Sequence, residues 1–356
     1  MTTEDQRPKT KTQRPIDWPN VIRVLIVRLR SIGDTVLATP SLIALRRFLP
    51  DAEIDVLLED WVAPVLDGFP GVNVISVGKS NASKLKAANH LRYRKYDVAF
   101  NLHGGTTSSM FVRASSATHR VGLSHYRYRR FYNHLYTSAA DFWQQPKLHS
   151  AEQQLALLGF TGVPVDDRPK SKLTVTELAL EKVRTTCGSG WFNSRQFALM
   201  HPTTAFFTKQ WATENFARTT EFLAERGLHT VAIANRAESA VLDELQSESS
   251  VPITTFDDLS LPEITALASQ ARVFVGNDSG MAHIAAAVGT PSVVIFGSSN
   301  RTHWHPWTDA PYEVVYEPFD CQPCPGYKCE LYGDAPCIRT VAVDSVMAAI
   351  NRVISN

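Results

Sequence analysis

The sequence predicts an α/β chain made of two successive doubly wound units. Three observations lead there. Strand-like apolar runs alternate with helix-like amphipathic ones nearly throughout. The strand-like runs are continuously apolar, as strands buried on both faces of a parallel sheet are. And 356 residues exceed what one typical core fills.

The elements follow in order. VIRVLIVRL (21–29) is a buried strand, and TPSLIALRRFL (39–49) has helical spacing. EIDVLLE (53–59), VNVISV (72–77) and YDVAFNL (96–102) are further strands. The pattern loosens from 104 to 148 and resumes with a helix, HSAEQQLALLGF (149–160). VPVDDRPKSK (163–172), rich in proline and charge, reads as the start of a linker, and TELALEKVRTTCG (176–188) as a short helix ended by glycine.

The second unit begins with the strand QFALMHPTT (196–204). A helix, ENFARTTEFLAERG (214–227), is closed by Gly227. HTVAIAN (229–235) is a strand and ESAVLDELQSE (238–248) a helix. LPEITALASQA (261–271) is a helix capped by Ser260, with Glu263 placed for a capping box. RVFVGN (272–277), MAHIAAAVG (281–289) and SVVIFG (292–297) read strand, helix, strand, and DSVMAAINRVI (344–354) a last helix. The expected organisation is a disordered extension over 1–19, units over 20–175 and 190–343, and a C-terminal helix over 344–356.

A formal net charge of +1 leaves no global field to attract nucleic acid. Residues 1–19 lack the apolar segment of a signal peptide or anchor. No apolar run approaches the ~18 residues of a membrane span. The expected location is the cytoplasm, where thiols stay reduced.

In open α/β sheets, ligands bind beyond the carboxyl ends of the strands. Here those ends carry SIGD (31–34), HPTT (201–204), NRAE (235–238), NDSG (277–280) and FGSSN (296–300). Asp34 reads either as a helix-start acid or as a catalytic base. In NDSGMAH, unpaired first-turn N–H groups suit a diphosphate, with Ser279, Gly280 and His283 beside them. Plain capping by Asp278 or Ser279 is the competing reading. Thr203, Thr204 and Lys209 offer two hydroxyls and an ammonium to phosphate oxygens. Glu238 stands where a carboxylate can take a ribose diol or serve the helix dipole. Neither GxxxxGK[ST] nor a strand-following GxGxxG occurs, which argues against a P-loop ATPase and a dehydrogenase.

On these motifs the chain resembles the glycosyltransferase family 9 heptosyltransferases. RLRSIGDTVLATP, HPTT…TKQW and VGNDSGMAHIAAAVGTPSVVIFG stand in the family's order, and the likeness runs from about Arg23 to Ile354. The resemblance implies a GT-B fold, two Rossmann-like domains facing across a cleft. It implies heptose transfer from ADP-heptose to the inner core of lipopolysaccharide, with inversion and without a metal in catalysis. It makes Asp34 the base and Lys209 the residue that balances charge on leaving ADP. It places the donor on Thr203, Thr204, Lys209, Glu238, Asp278, Ser279, Gly280 and His283. Two other readings stand beside it: a GT-B enzyme using another nucleotide-sugar on a different glycan, and a non-catalytic nucleotide-binding protein.

Between Val98 and Ala140 there is no acid, but there are Arg113, Arg120, Arg127, Arg129, Arg130 and four histidines. Arginine forks grip carboxylates and phosphates. An anionic lipid-linked saccharide or an anionic membrane surface fits the run, as does a merely solvated basic face. The expected acceptor residues are Gly33, His103, Gly104, Arg120, Arg127 and Arg130, with peripheral contact to the inner membrane. Cys321, Cys324, Cys329 and Cys337 fall within one short span, so a structural zinc is weighed against thiol packing and a disulfide.

Overall fold

The computed structural model describes residues 14–188, 190–324 and 327–355. The chain divides into two compact units at Pro169/Lys170. The first contains β1 (Arg23–Leu29), α1 (Ile32–Val36), α2 (Thr39–Phe48), β2 (Glu53–Glu59), β3 (Asn73–Val77) and α3 (Asn81–Arg94). It continues with β4 (Val98–Asn101), α4 (Thr106–Ala114), β5 (His119–Leu123), β6 (His134–Tyr136), α5 (Ala139–Trp143) and α6 (Ser150–Gly159). Its sheet has the order β3-β2-β1-β4-β5-β6 and is parallel throughout.

The second unit contains α7 (Glu177–Cys187), α8 (Gly190–Asn193), β7 (Phe197–His201), α9 (Thr213–Ala224), β8 (His229–Ile233) and α10 (Ser239–Glu248). Then come β9 (Ile253–Phe256), α11 (Leu261–Gln270), β10 (Val273–Asn277), α12 (Gly280–Ala287) and β11 (Ser292–Phe296). α13 (Arg301–Trp304), β12 (Tyr312–Tyr316), α14 (Pro336–Arg339) and α15 (Val343–Ser355) complete it. The order is β12-β11-β10-β7-β8-β9, again parallel.

Both sheets are doubly wound, so each has a point where strand order reverses. In the first it lies between β1 and β4, where Val27 aligns with Asn101. In the second it lies between β7 and β10, where His201 aligns with Gly276. Such switch points open a crevice at the carboxyl ends of the strands. The loops that leave those ends are SIGD and NLHGG in the first sheet, HPTT and NDSG in the second.

The cores explain why these segments fold so. Central strands β1, β4, β7, β10 and β11 are buried almost without interruption. Each Val, Ile or Leu so buried contributes about 1.5–3 kcal/mol. α15 buries Val343, Val346, Ala349, Ile350 and Val353, spaced three or four apart, in the same core as Trp211 and Phe216. It is thus part of the second unit rather than an appendage starting at 344. At α11 the capping box of Ser260 and Glu263 is present as expected.

Several elements differ from the sequence expectation. Of the extension over 1–19, residues 1–13 lie outside the described residues. Trp18–Asn20 form a 3-10 turn, with the Trp18 ring 5.3 Å from Phe48 and its Nε1 donating to Thr161 O at 2.8 Å. The packed chain therefore starts before residue 20. The stretch 104–148 holds α4, β5, β6 and α5. Its strands are short and lie toward one edge, so alternating or continuous apolar patterns have no length in which to appear. α3 buries only Ala87 and Leu91, and β9 and β12 are half-covered edge strands, which hid them likewise.

Candidate active site

In the first unit, Asp34 sits in the first turn of α1, just past the end of β1. It does not cap that helix. Its Oδ2 accepts from the Ser31 hydroxyl at 2.8 Å, and its Oδ1 pairs with the Arg28 guanidinium. Arg28 is buried and donates from Nη1 to Leu102 O at 2.5 Å. Burial lowers the Arg28 pKa, and Asp34 opposes that shift. The Asp34 side chain keeps 24% of its surface exposed. A carboxylate has about four acceptor positions; Ser31 and Arg28 occupy two of them here.

The neighbouring strand end is built around buried Asn101. Its Oδ1 accepts from the backbone N–H groups of His103 and Gly104, both at 3.0 Å. Its Nδ2 donates to Tyr132 Oη at 2.5 Å, and Tyr132 Oη donates to Ser109 Oγ at 2.8 Å. Leu102 N donates to Val27 O at 3.0 Å, which locks this loop beside the Asp34 loop. His103 is pushed toward its neutral form by burial, then by Arg28. Gly104 has φ +77°, and a Cβ there would stand 2.6 Å from Tyr126 Cε1. Side chains are excluded at that position.

In the second unit, Lys209 Nζ lies 2.8 Å from Asp278 Oδ2, and Ser299 Oγ donates to the same oxygen at 2.5 Å. Thr204 Oγ1 donates to Asp278 O at 3.5 Å. Thr203 is buried and donates to Glu238 Oε2 at 2.9 Å, while Asn235 Nδ2 donates to that oxygen at 2.5 Å. Ser279 is the N-cap residue of α12, yet its hydroxyl makes no capping bond. It pairs instead with His201 Nδ1 at 3.1 Å, and His201 Nε2 pairs with Thr203 Oγ1 at 3.2 Å. Neither Asp278 nor Ser279 serves as the cap that the competing reading required. Among the described residues, then, Ser279 gives α12 no side-chain cap, and the dipole at that helix start favours an anion. Gly280 opens that turn, and His283 follows one turn later, buried against Trp304. Burial drives His201 down to about 4, so it stays neutral near pH 7.

The structure thus gathers Thr203, Thr204, Lys209, Glu238, Asp278, Ser279 and Gly280 at one switch point, and Asp34, Gly33, His103 and Gly104 at the other. Arg120 is engaged elsewhere: Nε donates to Phe131 O at 2.6 Å and Nη1 to Ala117 O at 2.5 Å. It braces the 129–131 turn rather than standing free for an acceptor. Arg127 and Arg130 are exposed on that turn, their guanidinium carbons each 5.7 Å from the rings of Tyr128 and Phe131. Sequence reasoning missed Arg28, Asn101, His201, Asn277 and Ser299. Arg28 had a signal, as the one charge in the run VLIVRL. Asn277 is fully buried, bonding Trp211 N at 3.1 Å and Pro202 O at 2.9 Å, and so ties the two loops together.

Cys321, Cys324, Cys329 and Cys337 are free thiols lining one small pocket with Thr208 and Ser298. Burial, then the other three cysteines, raises the Cys337 pKa. Among the described residues, no group of three or more His, Cys, Asp or Glu side chains is arranged to hold a metal ion. The four thiols share a pocket without the ligand geometry that zinc needs. No helix of the described residues is long and apolar enough to cross a membrane.

Two doubly wound units, each with polar loops at its switch point, define the class in which comparison is informative. Lipopolysaccharide heptosyltransferase 3 of Escherichia coli is 28% identical over 294 residues, covering 79% of this chain and 85% of that protein. Lipopolysaccharide heptosyltransferase 1 of Pseudomonas aeruginosa is 25% identical over 325 residues, covering 85% and 86%. The solved structure of E. coli ADP-heptose lps heptosyltransferase II matches with TM-score 0.77 at 19% identity, over 94% of this chain and 99% of that one. The structure of E. coli heptosyltransferase WaaC with ADP matches with TM-score 0.71 at 18% identity, over 93% and 99%. The fold is therefore GT-B. The family model of glycosyltransferase family 9 (heptosyltransferase) matches residues 84–333, and the chain belongs to that family. It is a glycosyltransferase.

Proposed function

We propose that this protein transfers heptose from ADP-heptose to the inner core of lipopolysaccharide, with inversion at the anomeric carbon. The acceptor hydroxyl attacks that carbon as its bond to the ADP oxygen breaks, and the hydroxyl proton passes to Asp34. Arg28 and Ser31 hold the carboxylate in place for this. Negative charge growing on ADP meets Lys209, the α12 amides and Ser279. Glu238 takes the ribose diol, with Thr203, Thr204 and His283 completing the donor site. Gly33, His103 and Gly104 border the acceptor, and Arg127 and Arg130 meet its anionic groups. Catalysis is assigned to side chains and backbone amides, with no metal required.

The observation that carries the reading is the second-unit cluster. There Lys209 lies beside an uncapped helix start, and neither Asp278 nor Ser279 is spent on that helix. Relatives named as lipopolysaccharide heptosyltransferases support the donor and acceptor. The enzyme would work in the cytoplasm, in peripheral contact with the inner membrane.

Mass spectrometry of truncated core acceptors after incubation with ADP-heptose tests the proposal; the expected result is one added heptose. Nucleotide release from a UDP-sugar but not from ADP-heptose would favour another glycosyltransferase activity. ADP binding without turnover on any acceptor would favour a non-catalytic role.

A further inference from the structure

We infer that the outer face formed by α3, α4 and the 127–131 turn is a docking surface for an anionic phospholipid bilayer. The inference deepens the proposed reading by naming the membrane-facing surface, and it does not depend on the transfer chemistry.

On α3, Ala82, Leu85, Lys86, Asn89 and Tyr93 recur every three or four residues and so share one side of the helix. The opposite side, Ala87 and Leu91, enters the core of the first unit. The outward side is not the polar surface that this leaves room for. Leu85 is 64% exposed and Tyr93 83%, about 12 Å apart along the axis. α4 packs beside α3 and adds Met110, 55% exposed, and Arg113. The 127–131 turn borders α4 in its turn.

The charges of the chain segment that carries these apolar groups are one-sided. Between residues 78 and 140 there are eleven lysines and arginines and a single acid, Asp97. The Asp97 carboxylate is occupied by the backbone N–H groups of Ile22 and Arg23, at 2.8 and 2.9 Å. Other arginines of this unit find acids: Arg23 with Glu53, Arg94 of α3 with Glu53 and Asp55, Arg47 with Asp167, Arg168 with Glu152. Lys86, Arg92, Arg113, Arg127, Arg129 and Arg130 have no acidic partner among the described residues. Exposed Leu, Met and Tyr ringed by unpaired cations match the interface between headgroups and acyl chains. Long cationic side chains reach phosphates there while the apolar tips enter the boundary. A second copy of the same face would meet like charge, so self-association does not fit. A nucleic-acid backbone would satisfy the cations and leave Leu85 and Met110 without a purpose.

The full chain, without any sugar substrate, is sedimented with vesicles of phosphatidylglycerol and phosphatidylcholine, or of phosphatidylcholine alone. The expected result is binding to the anionic vesicles only, released by 0.5 M salt. Lys86→Glu with Arg92→Glu, and separately Leu85→Ser with Tyr93→Ser, should each weaken binding about tenfold or more. Both variants should keep wild-type circular dichroism and wild-type turnover on a soluble truncated acceptor. Equal binding to both vesicle types, no binding to anionic vesicles, undiminished binding by either variant, or capture by RNA in preference to vesicles would overturn the inference. Loss of the heptose-transfer reading would leave this experiment's outcome unchanged.

Discussion

Lys209 and Asp278 come from loops after different strands of the second sheet, yet Nζ stands 2.8 Å from Oδ2. The buried carboxylate, also bonded by Ser299, holds the ammonium at the start of α12. A lysine that would otherwise sweep a wide volume is thereby pre-positioned beside a helix start that has no side-chain cap among the described residues.

Replacing Lys209 by Ala should lower turnover about 10²–10³-fold, the usual effect of removing one preorganised donor to a developing negative charge. Lys209→Arg should recover part of it. Steady-state ADP release, read with a melting curve for each variant, checks this. Equal turnover in Lys209→Ala and wild type would remove the residue from the mechanism.

Asp34→Asn should cut turnover about 10²-fold or more while leaving ADP affinity unchanged. It should also cost stability, about 1–3 kcal/mol, because buried Arg28 loses its countercharge. Single-turnover kinetics and urea unfolding separate the two effects. Destabilisation without loss of turnover would make Asp34 a structural partner of Arg28 only.

Gly104→Ala should be harsher than Gly227→Ala. Both positions have positive φ, but only at Gly104 does an added Cβ meet a ring, 2.6 Å from Tyr126. Gly227→Ala should cost about 1 kcal/mol from backbone strain alone. Gly104→Ala should cost more and raise KM for the acceptor without changing KM for the donor.

Two histidines give stability a pH dependence. Burial holds His201 and His134 down to about 4 in the fold, against 6.5 for the free side chain. The unfolded chain therefore takes up protons first as pH falls. Stability from these groups stands in full above pH 6.5 and is lost as pH falls toward 4. The melting temperature should be lower at pH 5 than at pH 7, and His134→Asn should flatten that slope.

The central strands and the loops after them were legible because buried parallel strands advertise themselves as unbroken apolar runs. Edge strands β6, β9 and β12, and helix α3 with its two buried residues, carry no such run. Asp34 and the NDSG loop stand just past strand ends, where residue type alone had singled them out, and Lys209 lies against Asp278. Arg120 was not, because a count of basic residues is blind to a guanidinium already bonded to the carbonyls of Ala117 and Phe131. His201 was missed because burial, and not sequence, sets its protonation.

Each unit has its own sheet, its own core and its own reversal point. On the proposed reading, donor groups come from one half of the gene and acceptor groups from the other. Recombination near residue 170 could then graft a new acceptor preference onto an unaltered ADP-sugar half. Diversification of glycan targets would need no change in the activated-sugar supply.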